Sequence, residues 1–113
     1  MNQLFIYGTL CPNRENAHIL EKIGGSFTKG YVHGTVHVLS WGPDLGLPAI
    51  ILNEQDPKVE GYFFSTDKLA DHWQMLDDFE GFQYQRVKVE GWTESGERME
   101  AWVYAMRELQ NPE

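Results

Sequence analysis

Trp73-Gln74-Met75-Leu76-Asp77-Asp78-Phe79-Glu80-Gly81-Phe82-Gln83-Tyr84-Gln85-Arg86 reads as the end of a helix that runs straight into a strand. Leu69, Trp73 and Leu76 recur at helical spacing and give the helix one apolar face. Gly81 is placed to stop it, because glycine reaches the left-handed region without steric cost. The charge runs against the usual rule. The negative end of a helix dipole favours Lys, Arg or His, yet the last turn here carries Asp77, Asp78 and then Glu80. Crowding of like charges disfavours the ionised form of at least one of them and makes it a better base near neutrality. The same stretch also reads as a solvated acidic helix end.

Working outward, Tyr84 to Trp92 alternates as a strand, with Val87 and Val89 on one face and Tyr84, Arg86 and Lys88 on the other. Glu94-Ser95-Gly96-Glu97 forms a hairpin turn, and Met99 to Met106 is the partner strand. Upstream, Ser65 or Thr66 caps a helix running from Asp67 to about Phe79. Before it, Val59 to Phe64 is a strand containing Gly61. Leu47 to Leu52 is a short edge-like strand, since Pro48 cannot donate to a ladder. Gly42-Pro43-Asp44 and Asp56-Pro57 are turns. Phe27 to Trp41 gives one long bent strand or two short ones, with Gly30 and Gly34 at bulges or close contacts. Asn16 to Lys22 is a short helix ended by Gly24-Gly25. Leu4 to Tyr7 is a buried first strand bounded by Gly8, and the tail Gln110 to Glu113 is loose. Six or seven strands with two helices, not in regular alternation, exclude a doubly wound parallel sheet. The expectation is a single α+β domain over residues 1–113 with a mostly antiparallel, barrel-like sheet.

The 113 residues fit one ordinary domain, and 42% hydrophobic residues suffice for a packed core. A formal net charge of −8 argues against a nucleic-acid groove and against an anionic membrane surface. No apolar run approaches the roughly 20 residues that span a bilayer, and the N-terminal residues carry no secretory pattern. The single cysteine, Cys11, permits no intrachain disulfide, so a reducing, cytoplasmic home is expected.

Most candidate chemistry is weak. His33 and His37 lie four apart, but in β-rich surroundings with no carboxylate or thiol cluster, so no metal site is expected. Cys11 has no local His partner. Ser65 and Ser95 sit in cap and turn contexts, without a nucleophile elbow. The run Tyr7-Gly8-Thr9-Leu10 says more. A strand that ends in glycine exposes successive backbone N–H groups, and such a nest holds a carboxylate or an oxyanion.

Taken in order, these pieces resemble the γ-glutamylcyclotransferase-like, or AIG2-like, family. The match begins at Phe5-Ile6-Tyr7-Gly8-Thr9-Leu10. It continues through Gly30 and Gly34, Leu47-Pro48-Ala49 and Val59-Glu60-Gly61-Tyr62. It is strongest at Leu76-Asp77-Asp78-Phe79-Glu80-Gly81 with Tyr84-Gln85-Arg86, and closes at Ala101-Trp102-Val103-Tyr104. The resemblance implies a small mixed β-barrel with flanking helices. It implies that Tyr7, Gly8, Thr9 and Leu10 bind the γ-glutamyl part of a small substrate, and that Glu80 is the acid/base. Tyr84 and Tyr104 are expected to hydrogen-bond in the same cavity. Arg86 is expected to pair with Asp77 or Asp78. The short link from Glu80 to Tyr84 resembles the γ-glutamylamine branch. The implied reaction is attack of the substrate's own α-amine on the γ-carbonyl, giving 5-oxoproline, with no cofactor. A catalytically silent relative binding an amino-acid-like ligand is the alternative.

Overall fold

The continuous apolar run Leu4-Phe5-Ile6 has both of its faces covered, and this sets the architecture. The computed structural model describes residues 2–107; the expected loose tail, Gln110 to Glu113, lies outside them. Six strands are present: β1 (Gln3–Ile6), β2 (Ser26–Val38), β3 (Pro48–Leu52), β4 (Lys58–Ser65), β5 (Tyr84–Thr93) and β6 (Arg98–Met106). Two helices, α1 (Ala17–Ile23) and α2 (Trp73–Glu80), flank them. The pairings β1–β4, β4–β2, β2–β3, β3–β6 and β6–β1 close a ring, and β5 joins β6 and β2. The β1–β6 and β3–β6 contacts are parallel and the rest antiparallel. The fold is therefore α+β, a closed five-stranded mixed barrel with one further strand and two helices.

Alternation divides the core in two. Phe5 and Phe63 are register partners and turn inward, with Val32, Ile50, Ala101 and Val103, to fill the barrel. Leu4 and Phe64, one residue along, turn outward and pack with Leu20, Ile23, Leu69 and Leu76 beneath the helices. Gly61 is required where β4 passes β1. A Cβ there would collide with the Ile6 carbonyl oxygen and lie 2.8 Å from the Phe5 ring.

Several expected boundaries are corrected. The helix from Asp67 to Phe79 is two pieces, a 3₁₀ turn at Leu69–Asp71 and then α2. Thr66 Oγ1 accepts the Lys68 N–H, and Asp71 and His72 donate to Lys68 and Leu69 three residues back. That tighter winding seats Leu69 in the core before the α-helix starts at Trp73. The region Phe27 to Trp41 is one strand ending at Val38, with Leu39–Trp41 already in the following loop. The strand read as edge-like is not an edge. It pairs with β2 along its length and meets β6 at Ile50–Ala105. Pro48 fits because it is the first residue of the strand. The first helix runs one residue later than expected, Ala17–Ile23, with Asn16 at its N-cap and the Asn16 side chain bonded to Thr9 in place of a capping bond.

Candidate active site

β1 ends at Ile6, and the chain turns through Tyr7, Gly8, Thr9 and Leu10. The Cys11 N–H closes onto the Gly8 carbonyl at 3.1 Å. Asn16 clamps the turn twice: its N–H donates to the Thr9 carbonyl at 2.9 Å, and its Nδ2 to Thr9 Oγ1 at 2.9 Å. Among the described residues, the N–H groups of Gly8, Thr9 and Leu10 find no protein acceptor. Three successive partly or fully buried donors without partners form a site for negative charge.

Glu80 is the last residue of α2. Gly81 follows with φ of 86°, and its N–H donates to the Asp77 carbonyl, which ends the helix. Gln83, almost wholly buried, then binds a second loop to this corner. Its Oε1 accepts the Asp44 N–H at 3.0 Å, and its Nε2 donates to the Trp41 carbonyl at 2.8 Å. The loop between β2 and β3 is thereby brought against the end of α2.

Between these segments lies a cavity of about 240 Å³. It is lined by Tyr7, Gly8, Thr9, Leu10, Glu80, Tyr84 and Tyr104, with Asn16, Asp44, Leu47, Pro48 and Phe79 among the remaining walls. The volume falls below the roughly 300–1,000 Å³ typical of sites for drug-sized ligands, and suits a small molecule. All seven residues singled out in the sequence are therefore brought to one space.

The electrostatics of that space are unusual. Burial, and then the negative charge of Asp44, push the Glu80 carboxyl up from 4.5 to about 7. Burial also raises Asp44, whose Oδ2 is buried without a hydrogen-bond partner among the described residues. The tyrosines surround the acids as neutral hydroxyls, since burial drives Tyr7, Tyr84 and Tyr104 well above the normal phenol range.

The crowding expected among Asp77, Asp78 and Glu80 does not occur. Asp78 is exposed. Asp77 faces β5, where Arg86 Nε and Nη2 grip its two oxygens at 3.0 and 3.2 Å. Glu80 is left to the cavity, and its neighbour there is Asp44. Helical geometry turns Asp78 about 100° away from Asp77. Asp77 and Glu80, three apart, stay on neighbouring faces, and what draws the Asp77 carboxylate off is its hold by Arg86 and Tyr104. Asp44 gave no sign of this beyond its place in a Gly-Pro-Asp turn.

The tyrosine hydroxyls are also more occupied than expected. Tyr84 Oη donates to the Pro48 carbonyl at 2.7 Å, and Tyr104 Oη to Asp77 Oδ1 at 2.7 Å. Tyr7 Oη donates to the Tyr104 carbonyl and accepts the Ile50 N–H. Their rings wall the cavity while their hydroxyls brace it. Cys11 is buried, and burial pushes its thiol up to about 11, which leaves it protonated at neutral pH. His33 lies on β2, its Nδ1 2.8 Å from the Asp56 carbonyl. Among the described residues no three His, Cys, Asp or Glu side chains gather as metal ligands would, and no helix is long and apolar enough to cross a membrane.

A family model described as "Gamma-glutamyl cyclotransferase, AIG2-like" matches residues 4–113. No curated protein sequence matches the chain. Among solved structures, an AIG2-like protein from Mus musculus superposes with a TM-score of 0.69 at 24% identity, covering 94% of this chain and 77% of that one. A protein described as "Gamma-glutamyl cyclotransferase" gives 0.69 at 19% identity, covering 96% and 68%. YkqA from Bacillus subtilis gives 0.68 at 24% identity; 93% of this chain is covered, but only 35% of that longer one. At these identities the structures establish a shared fold.

Proposed function

The chain belongs to the gamma-glutamyl cyclotransferase, AIG2-like family, and on that premise we propose that it converts a γ-glutamyl amide into 5-oxoproline and a free amine. The observation that supports this most is Glu80, a carboxyl raised to about 7, in the same cavity as the unpartnered N–H groups of Gly8, Thr9 and Leu10.

The substrate supplies its own nucleophile. Its α-amine arrives as an ammonium, and Glu80, ionised in a useful fraction near neutral pH, takes one proton. The freed amine attacks the γ-carbonyl carbon and closes a five-membered ring. Holding the two ends of one molecule together removes much of the entropic barrier. The N–H groups of Gly8, Thr9 and Leu10 donate to the substrate oxygen that carries negative charge. The bond from carbon to the leaving nitrogen then breaks as Glu80 returns its proton there. The extra proton of the ring nitrogen follows, so the amine departs as an ammonium ion and no net proton is consumed.

The apolar rim of Leu47, Pro48 and Phe79 suits the carbon chain of an alkylamine leaving group, which agrees with the γ-glutamylamine branch. No cofactor enters the scheme, and a reducing, cytoplasmic setting fits a chain whose one thiol is buried and protonated. The test is 5-oxoproline release from a panel of γ-glutamyl amides differing in the leaving amine. Release from at least one alkylamine derivative is expected. Binding without turnover across the panel would convert the reading to that of a silent ligand-binding relative.

A further inference from the structure

Asp44 has no role in the scheme above, yet the fold places it with care. It lines the cavity that holds Glu80. Its Oδ2 is buried and accepts no hydrogen bond among the described residues. A buried acceptor without a partner is costly, and more so if charged. Among the described residues no Lys or Arg lines the cavity. The loop is anchored by main chain, through the Asp44 N–H to Gln83 Oε1, and the carboxylate takes no part in that bond. An acid kept in a small cavity, with neither an internal partner nor a structural duty, is available to a ligand.

We propose that Asp44 is the substrate-binding residue that receives the α-ammonium group, holding it between its own carboxylate and that of Glu80. This rests on the cyclotransferase reading and completes it. One cation between two acids offsets the charge of both carboxylates and delivers the nitrogen to its base. It also selects substrates with a free α-amine at the binding step, before any chemistry. An ionised Asp44 keeps the Glu80 proton affinity high in the empty site and relaxes once the ammonium is seated. The titratable groups facing Glu80 are Asp44 on its loop, Tyr7 after β1, Tyr84 on β5 and Tyr104 on β6. Among these Asp44 is the one carboxylic acid, itself raised by burial, and the other three are phenols.

The test compares L-glutamine, the smallest γ-glutamyl amide, with glutaramic acid, which lacks only the α-amine. Binding of both is followed by NMR titration in wild type, Asp44→Asn and Asp44→Glu. Wild type should prefer glutamine. Asp44→Asn should lose about 10- to 100-fold of that preference, the worth of a charged hydrogen bond, and Asp44→Glu should regain part of it. The carboxyl ¹³C signal of Glu80, followed against pH, should titrate lower in Asp44→Asn than in wild type, a change that a merely structural role would not produce. Undiminished preference in Asp44→Asn, or an unmoved Glu80 titration, overturns the proposal while leaving the cyclotransferase reading intact. Failure of wild type to bind either compound or to release 5-oxoproline from any γ-glutamyl amide overturns both.

Discussion

Burial and the neighbouring Asp44 oppose the charged form of Glu80, and both act only in the folded chain. The folded state therefore holds the Glu80 proton more tightly than the unfolded state does. Below about pH 4.5 the residue is protonated in both states and costs nothing. Between there and about 7 the unfolded chain ionises first, so stability is lost as pH rises; above 7 the cost is constant. Glu80→Gln removes this cost. Its stability advantage over wild type should be absent at acid pH, grow across that window, and level off on the order of 3–4 kcal/mol. Urea unfolding at a series of pH values checks it, and a difference that does not vary with pH would mean that Glu80 titrates normally. The same substitution should lower 5-oxoproline release by about 10²- to 10⁴-fold, since the amide cannot take the ammonium proton. The position of Glu80 ahead of Gly81 was legible in the sequence, but the crowd of carboxylates read there is not what raises it. Its perturbing neighbour comes from a distant loop, and no local pattern connects Asp44 to Glu80.

α2 is eight residues long, too short to be stable by itself in water. Tertiary contacts hold it, among them Leu76 in the core and Asp77 gripped by Arg86. The Arg86 guanidinium also lies 4.1 Å from the Trp73 ring centre and 5.2 Å from that of Trp102. Arg86 and Tyr104 are register partners on β5 and β6, so one Asp77 oxygen accepts from both. Through Tyr104 the contact passes to Tyr7, and so the helix carrying Glu80 and the loop carrying the open N–H groups are tied to the same two strands. A lysine at 86 keeps the charge but loses the forked grip and most of the stacking. Arg86→Lys should cost about 1–2 kcal/mol in urea unfolding, and the exposed Arg98→Lys should shift the midpoint less. No difference between the two would show that the Arg86 contacts are not holding α2. The pairing of Arg86 with an aspartate was readable from residue types, but which aspartate was settled by helix phase. The 3₁₀ turn before α2 was not readable, since Leu69 and Trp73 fit an unbroken helix equally well.

Over the whole molecule, the barrel brings together segments far apart in the chain. The turn after β1, the loop before β3 and the end of α2 meet around one cavity because β1 and β3 both pair with β6. Strand number and the mixed α+β class could be read from alternation and glycine punctuation. Closure into a barrel followed from the family resemblance and not from alternation, because a bridge as small as Ile50–Ala105 leaves no trace in either strand. The central claim is that this cavity makes a substrate attack itself. Only a γ-linked amide with a free α-amine can close the five-membered ring, whereas an amidase brings water or a side-chain nucleophile and needs no α-amine. The direct measurement is mass spectrometry of products after incubation with a γ-glutamyl amide and, separately, with its N-acetyl form. The expected products are 5-oxoproline and free amine from the first, with no cleavage of the second. Release of glutamate in place of 5-oxoproline, or cleavage of the acetylated compound, would contradict it.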